Sequence, residues 1–105
     1  MGTWKPSTRM DVEALFAKEF GSLHQSHQYQ LRKLLVSPYP VAVLDCPGET
    51  VYGVAQRGDF VLYWSDIEEG WEWEPLDNGA LKCRGSNKFW LSHITHQLFG
   101  DPVAE

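Results

Sequence analysis

No apolar run approaches the roughly 20 residues that a helix needs to cross a bilayer, and the opening stretch, MGTWKPSTRM, lacks the apolar core of a secretion signal. Gly2 does not begin a persuasive myristoylation signal, because Pro6 stands where Ser or Thr is wanted. A cytoplasmic protein without membrane contact is the expectation. Positive charge is scarce: 9 Lys and Arg stand against 14 Asp and Glu, a formal net charge of −5. Nucleic-acid binding rests on clustered cations that neutralise phosphate. Arg32-Lys33 is too small a cluster for that, and Lys82, Arg84 and Lys88 are scattered. No nucleic-acid partner is expected; a basic protein partner suits the acidic surface better. Cysteine is equally sparse. Cys46 and Cys83 are too few and too far apart for a structural zinc site, and without a secretion signal they are expected as reduced, mostly buried thiols. Phosphate loops, nucleotide fingerprints and nucleophile elbows are missing, since the glycines fall at turns. Without repeats or linkers, residues 1–105 read as one domain.

What the chain has in excess is aromatic surface: five Trp, four Tyr and five Phe in 105 residues. Its most informative segment is GDFVLYWSDIEEGWEWE, from Gly58 to Glu74. Val61, Leu62, Tyr63 and Trp64 suit a strand covered on both faces. In the strand after the acidic loop, period-two alternation puts Trp71 and Trp73 on one face and Glu72 and Glu74 on the other. Core is the expected side for the indoles, and solvent or a rim for the carboxylates.

Around this segment the periodicity changes twice. Ser7 or Thr8 can cap a helix with Val12, Leu15, Phe16 and Phe20 on one stripe. Gly21 weakens it, and Ser22 to Gln25 has capping-box spacing for a second helix carrying Leu23, His27, Leu31, Leu34 and Leu35. One kinked helix competes with two short ones. Ser37-Pro38-Tyr39-Pro40 must end it, because proline lacks a donor and drives its predecessor toward extended geometry. Strand signals follow over Val41 to Asp45, Thr50 to Gln56, Phe60 to Trp64, Gly70 to Leu76 and Ala80 to Arg84, joined by short links such as Gly58-Asp59 and Asp77-Asn78-Gly79. A closing helix, capped by Ser86 or Asn87, carries Trp90, Leu91, Ile94 and Leu98 on one face and stops at Gly100 and Pro102. The expected fold is α+β: an N-terminal helix or helix pair, a five-stranded antiparallel meander and a C-terminal helix.

Between Val51 and Leu81 the chain resembles a group of small bacterial proteins. The shared pattern is carried by Gly58, Asp59, Val61, Leu62, Tyr63, Asp66, Ile67, Glu68, Glu69, Gly70, Trp71, Pro75, Leu76, Asp77 and Gly79. The resemblance implies a small bacterial protein of a kind carried on mobile DNA, and no particular reaction. The Trp-Glu-Trp-Glu run departs from the usual filling after the aromatic position, and the N-terminal half carries none of the pattern.

Four chemistries compete. Asp66, Glu68 and Glu69, with Glu72 and Glu74 nearby, can hold a divalent cation or act as an acid and base pair, but EF-hand spacing is missing and a turn-forming loop accounts for them as well. His24-x-x-His27 and His93-x-x-His96 each place two imidazoles on one side of a helix, yet His27 lies on the apolar stripe and His96 points away from the Ile94 face, so the four should not converge on a metal. Neither cysteine sits at an evident helix N-terminus that would activate it. Recognition is the reading the residues favour. Strands apolar on both faces need a second cover, and Tyr52, Tyr63, Trp64, Trp71 and Trp73 offer aromatic surface of the type interfaces use. The expectation is a non-catalytic binding or regulatory protein, immunity- or antitoxin-like, forming a homodimer. It needs no cofactor and no metal, and its binding residues are Asp66, Glu68, Glu69, Tyr52, Tyr63 and Trp64. The alternative is a small hydrolase or metal-dependent enzyme using the acidic loop 66–74.

Overall fold

A computed structural model describes residues 8–45, 50–65, 69–83 and 89–101. Thr8 caps the first helix, α1 (Arg9–Phe20), through a capping box: its Oγ1 accepts the Asp11 N–H at 3.1 Å while Asp11 Oδ2 accepts the Thr8 N–H at 3.0 Å. Val12 is buried, and Leu15, Phe16 and Phe20 pack beside it, as the stripe predicts. A second, separate helix follows, α2 (Gln25–Arg32). Its cap is His24, whose Nδ1 accepts the Ser26 N–H at 3.1 Å, and not Ser22, whose hydroxyl turns back to the Lys18 carbonyl.

Four strands form one antiparallel sheet in the order β1-β2-β3-β4: β1 (Leu35–Ala42), β2 (Thr50–Arg57), β3 (Phe60–Ser65) and β4 (Gly70–Pro75). The Pro38-Tyr39-Pro40 segment, expected only to end a helix, is itself part of β1. An edge strand tolerates proline because one row of its donors has no partner strand to serve. The β1–β2 register shifts between Leu35 and Tyr39.

The five-stranded expectation is corrected to four. Asn78 (φ 52°) and Gly79 (φ 82°) do reverse the chain, but across that turn only Asp77 and Ala80 bridge. The outer edge of β4 is already taken where Trp71 donates its N–H to the Phe89 carbonyl at 2.8 Å. Leu81 crosses instead to the end of β1, parallel to Val43, donating to the Ala42 carbonyl at 2.9 Å and accepting from the Leu44 N–H at 2.8 Å.

The sheet has two buried faces. On one, Val54, Ala55, Leu62 and Trp71 pack with Val12 of α1, Leu31 of α2, and Leu91 and Ile94 of α3 (Leu91–Phe99). On the other, Val41, Val43, Val51, Val61, Tyr63 and Leu81 make a second core, flanked by Tyr39 and Leu76. That second apolar face is thus covered within the protomer, by the curled end of β1 and the segment after β4. The alternation in β4 holds: Trp71 is fully buried among the helices, and Trp73, on the same face, is half-buried, stacked on Phe60 at 5.8 Å with the Arg57 guanidinium beside it. Glu72, expected at solvent or a rim, is only 2% exposed, because its face carries the second core.

Trp90, expected on the buried face of the last helix, immediately precedes α3 in extended geometry (φ −74°, ψ 156°) and is 65% exposed. Ser86 and Asn87 lie outside the described residues. Among those residues no helix is long and apolar enough to cross a membrane.

Candidate ligand groove

The last two turns of α1 place Leu15, Lys18 and Glu19 on one side, by the three- and four-residue spacing of a helix. Opposite them, β3 and β4 pair Trp64 with Trp71, whose indoles meet edge-on at 5.3 Å and 69°. Glu19 ties the two sides together. Its Oε2 accepts the Trp71 indole N–H at 2.8 Å, and its Oε1 accepts the backbone N–H of Leu91, the first residue of α3, at 2.9 Å. The Trp71–Phe89 bridge then hangs Phe89 and Trp90 over the same opening, and the Trp90 N–H is held by His93 Nδ1 at 3.1 Å. The result is a groove of about 400 Å³ lined by Leu15, Lys18, Glu19, Trp64, Glu69, Phe89 and Trp90. That volume is within the range of small-molecule sites, and an apolar lining with a few polar groups is their usual composition.

The groove gathers two of the six residues singled out from sequence. Trp64 forms part of it, and Glu69 stands at it in left-handed geometry (φ 54°), which non-glycine residues seldom adopt. Tyr52 is half-buried on the helix-covered face, packed against the main core. Tyr63 is fully buried on the opposite face, where its hydroxyl donates to Glu74 Oε1, so it is no part of an exposed patch. Asp66 and Glu68 lie outside the described residues. The carboxylates of the 66–74 run that are described do not gather: Glu69 is at the groove, while Glu72 and Glu74 occupy the second face of the sheet.

Sequence reasoning missed Lys18, Glu19, Phe89 and Trp90. Glu19 had a signal, being a carboxylate one residue from Phe20 on the inward stripe of α1. Phe89 and Trp90 had none beyond their aromaticity, because their place depends on a bridge between residues 18 positions apart. The histidine expectation needs one refinement. The four do not converge, but His27 and His96 meet edge-on at 5.1 Å, with His27 buried and its Nε2–H donating to the Gly100 carbonyl at 2.9 Å. Among the described residues no group of three or more His, Cys, Asp or Glu is placed to hold a metal ion. Cys83 is a free thiol and exposed, not buried as expected; Cys46 lies outside the described residues.

No family model matches the chain, and no solved structure does. A curated protein of Schizosaccharomyces pombe named "Putative lysine N-acyltransferase" is 29% identical over an alignment of 110 residues. The alignment takes in 93% of this chain and 30% of that protein, so the chain spans under a third of the length of the relative it resembles.

Proposed function

We propose that the chain is a non-catalytic binding module and that the groove between α1, β3 and the start of α3 is where it binds. The observation that carries this reading is the convergence of Leu15, Trp64, Phe89 and Trp90 on one opening whose back wall is locked by Glu19. A preformed aromatic pocket costs its ligand little ordering entropy, and large apolar rings supply most of the contact energy in such sites.

Trp90 is the residue with which to test it, since at 65% exposure its loss leaves the core intact. Adding 1-hexanol at millimolar concentration should shift the indole N–H resonances of Trp64 and Trp90 in a saturable way, and Trp90→Ala should abolish saturation without lowering the melting temperature. Shifts that are absent, or spread evenly over all five indoles, reject the groove as a site.

A further inference from the structure

Of the three charged side chains that line the groove, Lys18, Glu19 and Glu69, none meets another in an ion pair. Lys18 projects from α1 and makes no ion pair among the described residues. Its neighbour Glu19 makes no ion pair with it and turns its carboxylate to the Trp71 indole and the Leu91 amide. Glu69 approaches from the residue before β4 and likewise makes no ion pair among the described residues. The apolar part of the lining is Leu15, Trp64, Phe89 and Trp90.

We infer that the groove takes a short alkyl chain bearing a carboxylate at one end and an ammonium at the other. The inference rests on the binding-module reading and names its ligand class. The carboxylate pairs with Lys18, the methylenes lie on Leu15 and Trp64, and the ammonium sits by Glu69, where the indoles add cation–π attraction. A ligand with one charge leaves the other protein charge without a partner beside apolar surface, whereas a zwitterion satisfies both and brings no net charge into the groove. Charge-assisted hydrogen bonds are about twice as strong as neutral ones, so each end should count separately.

Three probes of equal length decide it: 6-aminohexanoate, hexylamine and hexanoate, each followed by the indole resonances of Trp64 and Trp90. The zwitterion should bind at least about 10-fold more tightly than either singly charged probe, a difference of about 1.4 kcal/mol. Lys18→Gln should remove its advantage over hexylamine, and Glu69→Gln its advantage over hexanoate. Both side chains are exposed, so unchanged melting temperatures certify the variants. Equal affinities for all three probes, or binding of 1-hexanol alone, overturn the zwitterion and leave the groove standing. Silence from all four probes removes the groove itself.

Discussion

On one face of the sheet, Val54, Leu62 and Trp71 are covered by three helices; on the other, Val51, Val61 and Tyr63 are covered by the chain's own return across the end of β1. The helix-covered side is built on large indole and aliphatic contacts with the Glu19 carboxylate reaching in. The opposite side is smaller, valine-rich and threaded with polar pairs: the Tyr63 hydroxyl donates to Glu74, the Tyr39 hydroxyl donates to Gln56, and Glu72 is buried there. One face therefore depends on volume and the other on close fit. The groove opens on the first, where the last part of α1 and the start of α3 meet the sheet.

That contrast can be broken by substitution. Trp71→Ala should cost most, about 3–5 kcal/mol, the scale of large-to-small changes in a packed core; chemical denaturation measures it. Trp73→Ala should cost clearly less, since Trp73 is only half-buried, and equal losses would contradict the division of labour along β4. Gly53→Ala probes the close-fit side. A Cβ there would lie 2.7 Å from Val61 Cγ2 and 3.1 Å from Tyr39 Cε1, so a loss of about 1–3 kcal/mol is expected from overpacking. A stability unchanged by the extra methyl would show that this face yields. Tyr63→Phe removes one hydroxyl from the same face and should cost about 0.5–1.5 kcal/mol, with no change in groove binding. The smallest effect concerns Tyr39, whose phenol is held above its ordinary value of 10.0 by burial. The folded state keeps that proton better than the unfolded one. The associated stability is therefore complete below pH 10 and declines as pH rises through the folded value. Tyr39→Phe also loses the bond to Gln56, so its stability gap from wild type should be constant below that point and change only above it in alkaline denaturation.

The helical start was legible because its signals are local: Thr8 with Asp11, and the Val12 stripe, act within four residues. The same holds for the Gly58 turn and for Trp-Glu alternation in β4. What escaped was decided at long range. Ala80 to Arg84 has strand-like composition, yet composition could not reveal that Phe89 occupies the edge a fifth strand would need. Tyr63 looked like interface because it is aromatic in a doubly apolar strand, and nothing local says that Val43 and Leu81 will close over it. Two of the seven residues lining the groove were visible as site candidates. Trp64 and Glu69 were marked by type and position, whereas Lys18 and Trp90 reach the same opening only through the fold.

Glu19 also bears on the order in which the molecule assembles. Its two hydrogen bonds reach residues 52 and 72 positions further along the chain, so neither can close until β4 and the start of α3 have arrived. Closing such loops costs entropy, and the Glu19 bonds, which need both distant segments already in place, are expected to form after the transition state. Stabilising interactions made that late slow the escape from the native state more than they hasten its formation. Glu19 is thus a latch: without it the sheet and helices should still find one another at nearly the same rate, and come apart sooner.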